Sequence, residues 1–311
     1  MRIVVLGYQL IGYTALSFVL DETEDEVVGL WTHADAPGEE VWWPSAAELA
    51  RSRGVPVFSP EDVNAPQSVE LLETLAPDIL LCAWYRQMLT PPALGTARRA
   101  ALNLHGSLLP RYRGRAPVNW VLVNGETETG MTLHHMVPRA DAGDIVAQTR
   151  VAISPEDTAL SLYGRLAAAT AEVLRDTWPA LRQGRAPRVA QDESLATYVG
   201  RRTPDDGRFE WRWPASRIHN LVRAVTHPYP GAFADTQAGR LHIWEARTAP
   251  ELGATPAAEP GTVISLAAEG FVVATGAGGL LVRRAQYHGA AELGGAAFWE
   301  RYELSAGRRL A

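Results

Sequence analysis

The chain of 311 residues is long enough for two domains, because one hydrophobic core rarely serves more than about 250–300 residues. It is 47% hydrophobic and 21% charged, with a formal net charge of -6. All 29 basic residues are arginine, which excludes chemistry that needs a lysine amine, such as Schiff-base catalysis or a Walker phosphate loop. The acidic balance argues against a general nucleic-acid binder, since such proteins carry a basic surface.

Cysteine content and hydropathy exclude further classes of protein. Cys82 is the only cysteine, so neither a disulfide nor a cysteine-ligated zinc site is expected. The apolar run around Cys82 favours a buried side chain. No apolar stretch reaches the roughly 18 residues of a membrane span, and the N-terminus lacks a signal-peptide pattern. We therefore expect a soluble, cytoplasmic protein with no membrane insertion.

The first part of the chain alternates between strand and helix patterns. Residues 1–7 form an apolar run that ends at a glycine, which is typical of a buried parallel strand. Further strands are predicted at 27–31, 55–58, 79–83 and 101–104, and helices at 13–20, 45–52 and 67–75. Such alternation forms βαβ units around a mostly parallel sheet, so the predicted fold class is α/β. Ligands are expected beyond the carboxyl ends of the strands.

The pattern changes after Thr129. Two alternating runs at 131–137 and 145–153 predict an antiparallel pair, and a long helix is predicted over 159–182. Nearer the C-terminus, short strands with glycine-rich turns accompany one helix over 215–225 and predict a small β-barrel or sandwich. The predicted organisation is a catalytic domain over 1–185, a linker over 186–205 and a C-terminal domain over 206–311.

The residues that carry chemistry begin at the end of the last parallel strand. Asn103 and His105 point to the same face, because strand side chains alternate, and Asp141 follows in a turn flanked by glycine and proline. An amide can donate to an oxyanion, an imidazole can move a proton, and a carboxylate favours the imidazolium. No serine or cysteine lies in a nucleophile-elbow pattern, so direct acyl transfer to an amine is favoured. Purely structural roles for the Asn-x-His pair and for the arginine-rich loop after it stay open.

A metal centre is not predicted. His134 and His135 are adjacent in a predicted strand, so their side chains point to opposite faces and cannot share one ion. The sequence also lacks the ligand spacing of a zinc site.

Two motifs resemble those of a known family. Residues 103–110 read Asn-Leu-His-Gly-Ser-Leu-Leu-Pro and residues 113–117 read Arg-Gly-Arg-Ala-Pro, while Asp141 lies in the run Arg-Ala-Asp-Ala-Gly at 139–143. This combination resembles the signature of the formyltransferases that use 10-formyltetrahydrofolate. The similarity extends over nearly the whole chain. It implies a Rossmann-like formyltransferase domain followed by a small β-barrel domain of the OB type.

The resemblance also implies a role for each residue that matches the family pattern. His105 would transfer the proton, Asn103 would stabilise the oxyanion, and Asp141 would favour the charged form of His105. The folate co-substrate would contact Gln87, Met88, Leu89, Arg115, Val137, Pro138, Arg139, Ala140 and Asp141. The sugar nucleotide would contact Gly12, Asn119, Arg201 and Arg202.

Within this family, the sequence is most similar to the formyltransferase domain of the bifunctional polymyxin-resistance protein. The matching stretches are 31–39, 118–130 and 200–206. This similarity implies formyl transfer to the C4 amine of UDP-4-amino-4-deoxy-L-arabinose, a step in lipid A modification. Residues 7–12 and the tandem Trp42 and Trp43 differ from the family pattern, and both stretches border the expected acceptor site.

Other activities share these features. A methionyl-tRNA formyltransferase would have the same fold and catalytic residues, but its polyanionic substrate requires a basic acceptor loop and C-terminal domain. Here residues 36–40 read Ala-Pro-Gly-Glu-Glu, and residues 201–311 hold 13 arginines against 11 acidic residues, a net charge of only +2. Transfer to a dTDP-4-amino-4,6-dideoxyhexose, hydrolysis of 10-formyltetrahydrofolate and non-catalytic ligand binding also stay open. We expect small-molecule ligands and no nucleic acid, and the sequence is compatible with either a monomer or a homo-oligomer.

Overall fold

The computed structural model describes residues 1–35, 40–249 and 258–310. Residues 36–39 of the expected acceptor loop lie outside this description. The chain divides into two compact units. The first comprises Met1–Pro117, Glu128–Ile153 and Leu162–Gly200, and the second Val118–Thr127, Ser154–Ser161 and Arg201–Ala311. Two short segments of the predicted catalytic domain, 118–127 and 154–161, therefore belong to the second unit.

The first unit is built on a sheet that has seven strands within the described residues. Strands in this part of the chain are β1 (Arg2–Gly7), β2 (Glu26–Trp31), β3 (Val57–Phe58), β4 (Ile79–Ala83), β5 (Ala100–His105), β6 (Arg113–Gly114), β7 (Glu128–His135), β8 (Ile145–Ala152) and β9 (Tyr198–Val199). Helices in this part of the chain are α1 (Gln9–Glu22), α2 (Ala46–Ser52), α3 (Pro66–Leu75), α4 (Pro91–Gly95), α5 (Pro117–Val123) and α6 (Ala159–Arg182). All of α5 except Pro117 belongs to the second unit. The sheet order is β3-β2-β1-β4-β5-β7-β8. The strands from β3 to β5 are parallel and the last two are antiparallel, which confirms the predicted α/β class.

The strand order creates a crevice where ligands commonly bind. β2 and β3 lie on one side of β1, while β4 and β5 lie on the other, so the direction of winding reverses between β1 and β4. In open α/β sheets, ligands bind at the carboxyl ends of the strands at such a reversal. At this edge the N–H of Tyr8 donates to the carbonyl of Ala83, with an N–O distance of 3.1 Å.

Close packing of α1 on β1 accounts for the glycines at the start of the chain. Gly12 is buried, and a Cβ atom there would lie 2.8 Å from the Cα atom of Gly7. Such a separation is too short for any side chain. Gly7 and Gly12 therefore allow the helix to approach the strand.

The stretch 186–205, which was predicted as a linker, contains regular structure. It includes a 3-10 helix at Glu193–Leu195 and strand β9, which pairs in parallel with β6. A second 3-10 helix spans Pro204–Gly207. Residues up to Gly200 belong to the first unit, so most of this stretch is part of that unit.

The second unit contains an antiparallel sheet with six strands among the described residues. These are β10 (Ala232–Thr236), β11 (Gly239–Ala249), β12 (Val263–Ala267), β13 (Gly270–Ala274), β14 (Gly279–Tyr287) and β15 (Leu293–Gly294), with helices α7 (Ala215–Val225) and α8 (Gly295–Arg301). The order is β10-β11-β14-β13-β12, and β15 pairs with β14. The predicted C-terminal β domain is confirmed, and its sheet is antiparallel, whereas its closure into an OB-type barrel stays a prediction. Within the described ranges, no helix has both the length and the apolar composition that a membrane crossing requires.

Candidate active site

Three side chains predicted from the sequence meet in the first unit. Asn103 and His105 lie on β5, and Asp141 lies in the turn after β7. The Oδ1 atom of Asp141 is 3.3 Å from Nδ2 of Asn103 and 3.6 Å from Nδ1 of His105. The amide N–H of Asn103 and the imidazole of His105 thus face the same carboxylate oxygen of Asp141.

A fourth side chain, His134, completes this cluster. Antiparallel pairing places His134 of β7 directly opposite Asn103 of β5. Its Nε2 atom lies 3.0 Å from Nδ2 of Asn103 and 3.5 Å from Oδ1 of Asp141. Strand alternation predicts that the His134 and His135 side chains lie on opposite faces of the sheet. Only the register between β5 and β7 shows that His134 is on the same face as Asn103. The sequence pattern alone suggested no more for His134 than a metal ligand, because it does not show which residue lies opposite on the neighbouring strand.

Both ring nitrogens of His105 have partners. Nε2 lies 2.7 Å from the carbonyl oxygen of Tyr112, and a carbonyl can only accept, so Nε2 carries a hydrogen. Nδ1 faces the Asp141 carboxylate, which stabilises a proton placed there. The residue is 6% exposed, so little water competes for these contacts. The site can therefore accept a proton at Nδ1 and release it again.

Asp141 is held by its surroundings in an uncommon conformation. Its Oδ2 atom accepts from the N–H of Gly114 at 2.8 Å, and its φ of 52° lies in the left-handed region, which few residues other than glycine adopt. Burial opposes ionisation of the carboxyl group. His105, His134 and the Gly114 N–H outweigh that effect and hold the pKa of Asp141 well below its usual range. The group is therefore a carboxylate at neutral pH.

Two of the residues predicted to contact folate have contacts within the protein. Gln87 accepts from the N–H of Val63 at 2.8 Å and donates to the carbonyl of Glu61 at 3.0 Å. Leu89 is 5% exposed and lies in the core. Met88, between them, is 54% exposed. Gln87 and Leu89 thus shape the loop after β4, and Met88 is the accessible side chain.

The remaining predicted folate residues lie next to Asp141 or in the loop that binds it. Arg115 is exposed, and its main-chain N–H donates to Val199 at 3.0 Å. Arg139 is exposed and pairs with Glu193 at 2.9 Å. Residues 137–140 are all at least partly exposed. An incoming ligand can therefore reach Asp141 along this turn.

The residues predicted to contact the sugar nucleotide are divided between the two units. Gly12 lies in the first unit, where helix packing accounts for it. In the second unit Asn119 is 6% exposed and donates to a carbonyl of α7 at 2.8 Å. The Arg202 guanidinium lies over the Trp120 ring, 4.7 Å from its centroid, while Arg201 is exposed. Gly12 and Asn119 therefore have structural roles within their own units.

Nucleophilic and metal chemistry receive no support from the described part of the chain. Burial raises the pKa of the Cys82 thiol to about 12, so the thiol stays protonated and is a poor nucleophile. Among the described residues, no group of three or more His, Cys, Asp and Glu side chains is arranged to hold a metal ion.

Two family descriptions match this chain. "Formyl transferase" matches residues 2–177, which include the whole cluster of Asn103, His105, His134 and Asp141. The chain belongs to the formyl transferase family. "Formyl transferase, C-terminal domain" matches residues 201–303. The predicted membership of the formyltransferase family is thereby confirmed.

Solved structures share the fold of this formyltransferase. An N-formyltransferase from Helicobacter canadensis, solved with folinic acid and dTDP-3-aminofucose, has a TM-score of 0.70 at 16% identity, covering 94% of this chain and 100% of that one. HypX from Aquifex aeolicus with tetrahydrofolic acid has a TM-score of 0.64 at 18% identity. That match covers 98% of this chain and 48% of HypX, so the chain spans about half the length of HypX. Methionyl-tRNA formyltransferase from Clostridium thermocellum has a TM-score of 0.56 at 17% identity, with coverages of 80% and 94%.

Proposed function

We propose that this formyltransferase moves the formyl group of 10-formyltetrahydrofolate to the C4 amine of a nucleotide-linked amino sugar, with UDP-4-amino-4-deoxy-L-arabinose as the acceptor. The observation that carries the proposal is that Asn103 and His105 both face one carboxylate oxygen of Asp141. This cluster provides an N–H donor, a proton carrier and a fixed negative charge, and it contains no nucleophilic side chain. These groups suit direct transfer of a formyl group from one nitrogen atom to another.

Each group of the cluster has a place in the reaction. Attack of the neutral sugar amine on the formyl carbon creates a negatively charged oxygen, to which Asn103 donates an N–H. In the structure that N–H group donates to Asp141, so the amide turns towards the oxyanion as it forms. His105 accepts the proton that the amine loses and delivers it to N10 of the folate as the C–N bond breaks. Asp141 stabilises the imidazolium between these two events.

The turn after β7 supports folate binding beside the cluster. Residues 137–140 are accessible and lead directly to Asp141. The exposed Arg115 side chain adds a positive charge suited to the carboxylates of a folate tail. The exposed Met88 side chain offers an apolar, adaptable contact for a ring system.

An aromatic cluster at the carboxyl edge of β1 and β4 supports a nucleotide-linked acceptor. We call it the aromatic shelf; it consists of Tyr8, Trp42, Trp43, Trp84 and Tyr163. The two tyrosines are 4% and 3% exposed. Their hydroxyl groups have fixed partners, because Tyr8 donates to an Asp35 oxygen at 2.7 Å and Tyr163 donates to a Gln9 oxygen at 2.9 Å. The base of the shelf is therefore rigid.

The indole rings rest on this base and stay partly exposed. Trp42 and Trp84 meet Tyr163 edge-on, with ring centroids 5.0 Å and 5.7 Å apart. Trp84 has a φ of 60°, which is rare for a bulky residue and clusters at functional sites. It follows directly on Ala83, whose strand pairs with β5. Accessible indoles next to the catalytic strand suit stacking with a planar ring such as uracil.

A comparison of acceptors tests the proposal. The kcat/KM for formyl transfer from 10-formyltetrahydrofolate would be measured by mass spectrometry for three acceptors: UDP-4-amino-4-deoxy-L-arabinose, a dTDP-4-amino-4,6-dideoxyhexose and methionyl-tRNA. We expect the UDP sugar to give the highest value. A preference for the dTDP sugar would correct the acceptor. Transfer to methionyl-tRNA alone, the activity of one structural relative, would overturn the proposed substrate class.

Replacing Trp42 by alanine is expected to weaken acceptor binding. Loss of one stacking side chain costs about 1–3 kcal/mol, which corresponds to a roughly 5- to 150-fold higher KM for the UDP sugar. The Kd for UDP alone, measured by calorimetry, should rise in parallel, while the KM for the folate stays near its original value. The control is Trp42→Phe, which keeps an aromatic face and should bind nearly as well as the original. Equal Kd values for the alanine variant and the original protein would contradict the stacking role.

Asp141→Asn is expected to move the acid limb of the kcat/KM profile to lower pH. Because the pKa of Asp141 lies below its usual range, its own protonation does not produce a limb above about pH 5. The limb is expected to depend on the neighbouring imidazole, because the carboxylate 3.6 Å away attracts its charged form. Asparagine removes that attraction. Both proteins would be assayed with the same acceptor so that titration of the sugar amine cancels, and coincident profiles would contradict the role given to Asp141.

A further inference from the structure

A short segment of the first unit ties the catalytic loop in place. We call residues 191–199 the strap. The N–H groups of Arg113 and Arg115 donate to the carbonyls of Thr197 and Val199 at 2.9 Å and 3.0 Å. Gly114, between them, has a φ of 104°, and a Cβ there would lie 2.3 Å from the Val199 oxygen. The loop that contains Gly114 is therefore fixed to the strap along its main chain.

The Arg113 side chain is the buried centre of this contact, with a relative exposure of 0%. Its guanidinium donates to the Gln191 side-chain oxygen from Nε at 3.0 Å and from Nη2 at 2.7 Å. It also donates to both carboxylate oxygens of Glu193, at 2.8 Å and 3.2 Å, and to the Tyr198 hydroxyl at 2.7 Å. A buried charge is stable only when it is paired and hydrogen-bonded in this way. All three partners belong to the strap.

Gln191 links this buried cation to the Asp141 turn. A guanidinium can only donate, so the side-chain oxygen of Gln191 must face Arg113 and its NH2 group must face away. That NH2 group donates to the main-chain carbonyls of Asp141 and Gly143 at 2.8 Å and 2.6 Å. Both ends of the amide are therefore used, and the carbonyls on either side of Ala142 are anchored to the strap.

The same loop and turn hold the catalytic side chains. The carbonyl of Tyr112 accepts from Nε2 of His105, and the N–H of Gly114 donates to Oδ2 of Asp141. Asp141 is in a left-handed conformation, which persists only where surrounding contacts enforce it. Gln191 supplies these contacts to the main chain of Asp141, and Arg113 fixes the loop that binds its carboxylate.

We propose that Gln191 and Arg113 are positioning residues that hold the Asp141 carboxylate against His105. Neither residue touches the reacting atoms, and each acts through Asp141. The catalytic part of this inference, that Asp141 acts in formyl transfer, rests on the proposed function. The contacts themselves are independent of which acceptor is used.

Gln191→Glu tests the acceptor and the donor of this amide separately. Glutamate keeps oxygen atoms that can accept from Arg113, but it cannot donate to the carbonyls of Asp141 and Gly143. With UDP-4-amino-4-deoxy-L-arabinose as acceptor, kcat is expected to fall by about 10- to 100-fold, the scale of a misplacement near 1 Å. The KM values for both substrates should change little. The acid limb of the pH profile should also move when the Asp141 carboxylate is displaced, which a purely structural role would not produce.

Amide hydrogen exchange provides a readout that needs no acceptor. The Gly114 N–H donates to the Asp141 carboxylate, so its exchange, followed by NMR, should be faster in Gln191→Glu. The control is Leu195→Ala, in the same strap, where the side chain is 59% exposed; its exchange at Gly114 and its kcat should match the original protein. If Gln191→Glu does not fold, Gln191→Met removes the donor and the acceptor together without adding a charge, and its kcat and Gly114 exchange are compared with those of the original protein.

The possible results are distinguishable. A Gln191 variant that keeps the original kcat, pH profile and Gly114 exchange would overturn the inference, even if its unfolding temperature fell. Faster exchange at Gly114 with lower kcat supports it. If the original protein formylates none of the acceptors, the proposed function fails, whereas faster exchange at Gly114 in the variant would still support the positioning role.

Discussion

His105→Ala is expected to lower kcat by about 10²–10⁴-fold, the usual contribution of a positioned general acid–base. The His105 imidazole faces the Asp141 carboxylate at 3.6 Å, and its ring is also fixed by the Tyr112 carbonyl at 2.7 Å. His134, the second imidazole of the cluster, contacts the His135 carbonyl through Nδ1 at 2.8 Å and Asn103 through Nε2 at 3.0 Å. The loss should be seen in steady-state kcat, measured by mass spectrometry of the formylated sugar.

Two variants separate proton transfer from structure. His105→Gln keeps an N–H that can donate to Tyr112 but cannot exchange a proton near neutral pH, so it should be about as inactive as the alanine variant. His288→Gln replaces an exposed histidine of the second unit and should keep full activity. If folded His105→Ala retained most of its turnover, the assignment of His105 as the proton carrier would be wrong.

The Asn103→Ala variant should have the second largest loss, about 10²–10³-fold in kcat, since this is the usual cost of removing one oxyanion donor. The loss should appear in kcat with little change in KM, because the oxyanion exists only after the amine has attacked. Its acid limb should move less than that of Asp141→Asn, because the Asp141 carboxylate keeps its charge and its bond to the Gly114 N–H. Asp141→Asn should move that limb, so the two variants are distinguishable in a single series of assays.

Asn103→Leu provides a control for volume. Leucine fills about the same space without an N–H donor, so its kcat should be as low as that of the alanine variant. A leucine variant with near-original kcat would show that the Asn103 amide is dispensable. The oxyanion would then need a different donor in the first unit.

Much of the fold followed from local sequence patterns. The apolar runs of β1, β4 and β5 predicted buried parallel strands, and helical spacing placed α6 and α7 at the observed bounds of 159–182 and 215–225. The short strands β6 and β9 were missed. They have two residues each and pair across a long stretch of chain, so neither contains a local pattern. The polar residues that suggested a linker include Gln191 and Glu193, whose side chains bind the buried Arg113.

The candidate site was predictable where residues share one strand end or match a family motif. Asn103 and His105 alternate along one strand end, and a family motif pointed to Asp141. The position of His134 depends on the register between β5 and β7. The role of Gln191 depends on contacts with residues about fifty positions away. Such long-range pairings are set by the assembled sheet, so a sequence without its fold does not reveal them.

The most direct test of formyl transfer follows the formyl carbon itself. The protein would be incubated with 10-formyltetrahydrofolate carrying a ¹³C-labelled formyl group and UDP-4-amino-4-deoxy-L-arabinose, and the label would be followed by NMR. We predict that the label moves from the folate to an N-formyl amide on the sugar, and that His105→Ala slows this transfer by about 10²–10⁴-fold. Release of labelled formate beside an unmodified sugar would contradict the proposed reaction and indicate a hydrolase.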